Sequence, residues 1–221
     1  MAVLQEVYDR LLAAYGPQHW WPGQTPFEVL IGAVLVQNTA WKNVEKAIAN
    51  LREQELLDPQ SLYQVSPEEL EELIRPAGYY RIKARRLRNL LALLVERYDG
   101  SLERMFQAGQ ESLREELLGV NGIGPETADS ILLYAGQQPT FVVDTYTLRV
   151  FARHGWVDFG TSYDELKEYF ESGLERDAAV YNEYHALLVR VGKEHCGKTP
   201  RCQGCPLAEL LPEGGPREAD F

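Results

Sequence analysis

The sequence predicts an all-α fold, and three observations carry that prediction. Apolar residues recur at three- and four-residue spacing between Pro and Gly breakers along nearly the whole chain. Strand signals are almost absent: Phe141-Val142-Val143 is the nearest, and it is too short for more than a connector. Composition is that of an ordinary globular protein, with 45% hydrophobic and 25% charged residues in a chain of 221. That length allows a sizeable core, and the composition excludes disordered, collagen-like and coiled-coil classes.

The elements follow in order. Val3, Leu4, Val7, Leu11 and Leu12 mark one helix face, and Gly16-Pro17 stops the helix. A loop over residues 18–23 leads to Pro26, which opens a stretch, 27–35, apolar almost all round and so predicted as a buried helix. Gln37-Asn38-Thr39 is a polar break before a second helix running from Trp41 through Val44, Ile48 and Leu51. Ser66-Pro67-Glu68-Glu69 reads as a helix start, with Pro at the first position and acids near the positive end of the dipole. Pro76-Ala77-Gly78 breaks that helix. A basic helix over about 80–98 follows, with Leu87, Leu90, Leu91 and Leu94 on one face. Short helices between breakers continue to the end, and the segment from residue 213 reads as a frayed tail.

Charge narrows the function classes. The balance of 22 basic against 33 acidic residues, a net charge of −11, argues against a protein that neutralises many phosphates. The charge is unevenly spread, however. Arg75, Arg81, Lys83, Arg85, Arg86 and Arg88 have no acid among them and follow the acidic cluster Glu68, Glu69, Glu71 and Glu72. Either a basic binding face or a plain solvated helix is consistent with that run. Apolar runs are far too short for a membrane span. The first residues lack the pattern of an export signal. All 3 cysteines fall between Cys196 and Cys205, which suits a reducing compartment better than a disulfide framework. A cytoplasmic protein is expected.

The most informative stretch is Leu117-Leu118-Gly119-Val120-Asn121-Gly122-Ile123-Gly124-Pro125-Glu126-Thr127-Ala128-Asp129. A helix ends in a glycine-rich turn, Pro125 suits a first helical position, and Ala128, Ile131, Leu132 and Ala135 continue as a helical stripe to Gly136. Glycines let the backbone approach a ligand, and the N–H groups at the start of the next helix are a ready anion site. A DNA phosphate could be held there with little help from Lys or Arg, through Gly122, Ile123, Gly124 and Thr127; the alternative is a plain helix connector. Further on, Asp144 follows the apolar run 141–143 and precedes a helix ending near His154-Gly155. It reads as an N-cap. It reads equally as a carboxylate kept ionised beside a helix N-terminus and aimed at whatever the hairpin holds.

Hairpin and Val142-Val143-Asp144-Thr145-Tyr146 together resemble the helix-hairpin-helix DNA glycosylase superfamily, its endonuclease III-like group, over about residues 18–206. The resemblance implies a two-lobed helical fold with a cleft carrying the hairpin and the aspartate. One lobe would comprise residues 20–126, the other 1–19 with 127–221. It implies that Asp144 is the catalytic aspartate. Glu126 stands where bifunctional members carry a nucleophilic lysine, and a carboxylate cannot form a Schiff base. A monofunctional enzyme using water is therefore implied.

A closer resemblance, to the bacterial 3-methyladenine glycosylase branch, rests on Trp20-Trp21-Pro22, the stretch 27–41, Arg75-Pro76-Ala77-Gly78-Tyr79-Tyr80 and the hairpin. It implies that aromatics at Trp20 and Trp41, with Trp21 beside them, hold a flipped base. Gln37 would fill the gap left in the duplex, assisted by Asn38, and Glu126 would also face the substrate. The chemistry is coherent on its own terms. Alkylation makes the purine cationic and weakens the glycosidic bond, and indole faces attract such a cation by about 2 kcal/mol or more when desolvated. Asp144 would stabilise the oxocarbenium-like sugar and orient or deprotonate water. The base must leave the stack to reach such a pocket. Core packing is the competing reading for Trp20 and Trp41, and Tyr79 and Tyr80 read as packing.

The expected partner is double-stranded DNA with a damaged base, bound by a monomer. A different base preference, or a damage-binding module without catalysis, are the rival functions. The resemblance also implies a monovalent cation held by the carbonyls of Leu118, Val120 and Ile123.

Cys196, Cys202 and Cys205 form C-x5-C-x2-C. In the resembling group a [4Fe-4S] loop of four cysteines lies at this location, but here the fourth position is Leu211. Three thiolates suit a metal, yet clusters and structural zinc both normally take four ligands. His195 and Glu209 are candidate fourth donors. A cluster, zinc and a metal-free remnant all remain open. His19, His154 and His185 lack partners at ligand or triad spacing and read as structural.

Overall fold

The computed structural model of the chain describes residues 2–21 and 23–219; Pro22, part of the motif Trp20-Trp21-Pro22, lies outside the described residues. Their regular structure is helical, with no strand among them and only an isolated bridge between Cys196 and Pro200. The helices are α1 (Ala2–Tyr15), α2 (Pro26–Leu35), α3 (Trp41–Glu53), α4 (Pro59–Gln64), α5 (Pro67–Leu73) and α6 (Tyr80–Ala92). They continue as α7 (Leu102–Gln107), α8 (Gln110–Gly119), α9 (Pro125–Ser130), α10 (Thr145–Arg153), α11 (Tyr163–Gly173) and α12 (Ala178–Glu194). Two of them widen into π-helical turns at their ends, α6 over Leu93–Arg97 and α9 over Ile131–Ala135. No helix among the described residues is long and apolar enough to cross a membrane.

The chain divides into two compact units, one of Met1–Trp20 with Pro139–Phe221 and the other of Trp21–Gln138. Sequence placed the second boundary at 126. The helix that begins at Pro125 runs on through Ala135 and packs against α2, which keeps its whole length in the central unit.

In the central unit, local chemistry places the helix ends. Thr25, Asp58, Ser66 and Ser101 each accept a backbone N–H from the first turn that follows, and Pro stands at the start of α2, α4, α5 and α9. Residues 27–35 of α2 are all buried, as expected for a helix apolar on every side. Leu87, Leu90, Leu91 and Leu94 of α6 are fully buried, so the predicted apolar face is the packed one.

The other unit packs α1 and α10 against α12, with Phe141, Phe151, Phe170, Tyr181 and Tyr184 buried together. Phe141 and Phe170 stack at 4.0 Å, and Tyr184 sends its hydroxyl to the Leu4 carbonyl at 2.9 Å. The segment 141–143 is a buried connector, not a strand. The expectation of a frayed tail needs correction. The Arg217 N–H donates to the Arg153 carbonyl at 2.8 Å, so the tail docks on the end of α10 at that point.

Candidate functional site

The hairpin between α8 and α9 is built from backbone. Val120 N–H returns to the Leu117 carbonyl and Ile123 N–H to the Val120 carbonyl, both at 3.0 Å. Val120 is one of the three carbonyls suggested for a cation; a carbonyl keeps a second lone pair after accepting one hydrogen bond. Gly122 turns the chain at φ +100°, a conformation glycine alone adopts freely. A Cβ there would also run into Arg86 Cγ. Gly122→Ala is therefore expected to displace Arg86 and strain the turn, costing about 1–3 kcal/mol. Its checks are a urea melt and a fall in duplex affinity.

The turn is braced from two other helices. Gln37 donates through Nε2 to the Gly122 carbonyl at 3.2 Å and to Thr127 Oγ1 at 2.9 Å, and its Oε1 accepts from Arg86 Nη1 at 2.6 Å. Asn89 of α6 donates to the Asn121 carbonyl at 3.0 Å. Gln37 thus ties the end of α2 to the hairpin, and Thr127 is buried beneath it. Gly124 and Glu126 are exposed, Gly122 half-buried and Ile123 buried. Asn38 is exposed in a left-handed conformation, φ 54°. α8 and α9 are clamped by a bidentate ion pair, Arg114 Nε to Asp129 Oδ1 at 2.8 Å and Nη2 to Oδ2 at 3.1 Å.

The basic run divides. Arg75 and Arg81 pair with Glu72 and Glu71 of the preceding acidic cluster, and Arg88 donates to the Val65 carbonyl. Arg85 is exposed. Lys83, which the sequence placed on the basic face, is buried and donates to the Leu35 and Ala77 carbonyls at 2.8 and 2.7 Å. Burial pushes its pKa down to about 8, with nearby Arg86 adding to the effect. Tyr79 corrects another expectation: it does not pack, but stands 70% exposed in a left-handed conformation before α6.

Of the predicted aromatic set, the central unit brings Trp21 and Trp41 together. Their rings meet edge to face at 5.0 Å over Gly32, and Trp21 also lies 4.9 Å from the buried Tyr134. Both indoles are half-buried, and the Trp41 N–H is enclosed with no hydrogen-bond partner among the described residues. Trp20 belongs to the other unit, where the Lys193 ammonium lies 5.9 Å from its ring.

Asp144 caps α10 as the sequence predicted. Its Oδ1 accepts the Thr147 N–H at 2.8 Å and the Thr147 hydroxyl at 2.9 Å. Its Oδ2 faces His185 of α12, with Nε2 at 3.7 Å. His185, which has no partner at ligand or triad spacing in the sequence, therefore has one in the structure; the two residues are far apart in sequence, and only the packing of α12 on α10 joins them. Burial pushes the Asp144 carboxyl up. The His185 imidazole and the cap donors of Thr147 together outweigh it and hold the group below the ordinary carboxylate range.

The cysteine loop is held by α10. Arg153 donates to Cys196 Sγ at 3.3 Å and to the Gly197 and Lys198 carbonyls at 2.7 and 2.8 Å. His154 contacts the Val150 and Leu207 carbonyls through its two ring nitrogens. Cys196, Cys202, Cys205 and His195 line one small cavity, and Leu211 lines it too, contributing an alkyl group and no thiolate. Glu209 is turned away, paired with Arg10 at 2.9 Å. Among the described residues no three His, Cys, Asp or Glu side chains converge to hold a metal ion. The residues present do not fit a four-thiolate cluster.

A sequence profile now decides the family. That of the HhH-GPD superfamily of base excision DNA repair proteins matches residues 31–176, which include the hairpin and Asp144. The chain belongs to this superfamily. Within the HhH-GPD superfamily it is similar to MJ1434 of Methanocaldococcus jannaschii, a provisionally assigned DNA repair glycosylase, with 48% identity over 94% of this chain and 95% of the relative. Among solved structures it resembles the H. pylori 3-methyladenine DNA glycosylase MagIII bound to 1,N6-ethenoadenine. There the TM-score is 0.75 and the identity 31%, over 87% of this chain and 96% of that one. It also resembles an endonuclease III in a non-covalent complex with DNA, at TM-score 0.81 and 28% identity over 96% and 95% of the two chains. These likenesses place this HhH-GPD protein in the endonuclease III-like group.

Proposed function

We propose that this HhH-GPD protein is a monofunctional DNA glycosylase that hydrolyses the N-glycosidic bond of alkylated purines, of the 3-methyladenine type, in duplex DNA. The observation that carries the reading is the division of labour on Asp144. One carboxylate oxygen is consumed by the helix cap, and the other is held ionised without a backbone donor on it. A rigid, ionised carboxylate is what an oxocarbenium-like sugar and an attacking water require. Likeness to a 3-methyladenine glycosylase supports the lesion class, as does the electron-rich pair Trp21 and Trp41.

In this reading the hairpin amides of Gly122 and Gly124 grip a backbone phosphate, sequence-independently, as a helix N-terminus does, while the Ile123 N–H stays within the turn on the Val120 carbonyl. Such a grip needs few cations, which fits a chain of net charge −11. Glu126, exposed on the first turn of α9, supplies no amine for a Schiff base, so water is the nucleophile.

The deciding experiment is a panel of lesion-bearing duplexes scored for free base. Release from 3-methyladenine DNA above all others is expected. Preference for oxidised or mismatched bases would replace the lesion class, and tight binding to abasic-site DNA without release from any substrate would leave a damage-binding module. Borohydride added during turnover is expected to trap no covalent enzyme–DNA adduct on a denaturing gel. An adduct would identify a lysine nucleophile and overturn the monofunctional assignment.

A further inference from the structure

We infer that His185 is a positioning residue for Asp144: its imidazole selects and holds the one carboxylate oxygen left for chemistry. The inference rests on the glycosylase reading for its functional meaning and on geometry for its substance. Asp144 has two oxygens. Oδ1 takes both cap hydrogen bonds from Thr147, so rotation about the carboxyl bond is fixed and Oδ2 points away from the helix end. His185 Nε2 stands 3.7 Å from that oxygen, and both side chains are largely enclosed, at 6% and 12% exposure.

The approach is built into the two helices. α12 carries Gly192 where it crosses the first turn of α10, and a Cβ there would lie 2.5 Å from Tyr146 Cδ1. A side chain at 192 would have to displace the Tyr146 ring or part the two helices. Two polar side chains of the neighbouring elements are directed elsewhere. Arg149 of α10 is turned to the Cys196 carbonyl, and Tyr163, at the start of α11, takes the Val143 N–H at 3.4 Å.

The chemistry follows from the partner's nature. With its proton on Nε2, the imidazole donates toward Oδ2, disfavours a proton there and stops the carboxylate from turning. It leaves Oδ2 with lone pairs for water or for the developing positive charge on the sugar. A side chain that orients a reacting group in this way, without touching substrate, is worth about 10- to 100-fold in rate. At 3.7 Å the contact is electrostatic and longer than a hydrogen bond, and contacts to catalytic groups commonly tighten in the substrate complex.

The test reads Asp144 directly. Protein labelled with 13C at aspartate carboxyls is titrated by NMR, with Asp144→Asn identifying the Asp144 signal, in wild type, His185→Gln and His185→Ala. The wild-type carboxyl is expected to titrate below the ordinary aspartate range, and to move up in both variants, further in His185→Ala. On the duplex that wild type processes fastest, single-turnover base release is expected to fall about 10- to 100-fold in His185→Ala. The acid limb of the rate profile should move upward, glutamine should restore part of the rate, and affinity for abasic-site DNA should stay the same. A wild-type Asp144 that titrates at or above the ordinary range, or one unmoved by both substitutions, overturns the inference whatever the activity. A shifted titration in a protein whose wild type releases no base from any lesion upholds the pairing and removes the glycosylase reading instead. Should His185→Ala fail to fold, His185→Gln and the wild-type titration still decide.

Discussion

Asp144→Asn is expected to lower base release from alkylated duplex DNA by at least about 10²–10³-fold while leaving the fold and abasic-site binding intact. The reason is the separation of the two jobs this side chain performs. Asparagine is as good an N-cap as aspartate, and its Oδ1 can still accept the Thr147 N–H and hydroxyl that Asp144 accepts at 2.8 and 2.9 Å. Thermal unfolding should therefore change little. What is lost is negative charge at the second oxygen, which cannot then stabilise a cationic sugar or take a proton from water. Single-turnover release with enzyme in excess, beside a gel shift on abasic-site duplex, separates the two effects. Equal activity in variant and wild type would remove Asp144 from the chemistry.

Acid pH offers a second view of the same group. The folded pKa of Asp144 lies below its ordinary value, so the stability it contributes is complete above about pH 4, the unfolded carboxylate range. That contribution is lost only as pH falls through the lower folded value. Activity should accordingly show no loss from this carboxyl at mildly acidic pH.

The largest effect on stability is expected from Arg114→Ala. Asp129 is fully enclosed, with both oxygens engaged by the Arg114 guanidinium at 2.8 and 3.1 Å. Removing the cation takes the bidentate guanidinium away from a buried carboxylate, which costs about 3–5 kcal/mol. For a chain of this size that corresponds to a fall in melting temperature of about 10 °C. Because the pair joins α8 to α9 directly behind the hairpin, duplex affinity should weaken as well. Replacing both residues, Arg114→Leu with Asp129→Leu, is expected to recover much of the stability, since no charge is then left unpaired. Urea melts of the two single variants and the double variant give the coupling energy. A single Arg114→Ala with an unaltered midpoint would show that water or another group compensates Asp129.

Much of the local structure was legible because its causes are local. Ser66 and Asp144 cap the helices that follow them, and Pro26, Pro67 and Pro125 open helices, by chemistry spanning three or four residues. Leu87, Leu90, Leu91 and Leu94 report their buried face through spacing alone. The hairpin was recognisable because its glycines perform a backbone task no other residue performs as well.

Other features have no local signature. Lys83 sits within a run of cations and reads as solvated, yet it is buried against two carbonyls contributed by segments remote in sequence. Gln37 gives no sign in sequence of joining Gly122, Thr127 and Arg86. Arg217, in a segment of tail composition, is tied to Arg153. Leu211 shows in sequence that a fourth thiolate is missing; that it lines the same cavity as the three thiols is known only from the packing.

By itself, then, the sequence determined the helical class, the helix ends, the hairpin and the aspartate that follows it, since propensity, capping and turn formation act within a few residues. Only the tertiary structure decided which side chains stand on that machinery. His185 meets Asp144, Arg114 meets Asp129 and Trp21 meets Trp41 because helices distant along the chain pack together, and nothing short-range encodes a contact whose two halves are joined only by burial of their common apolar faces.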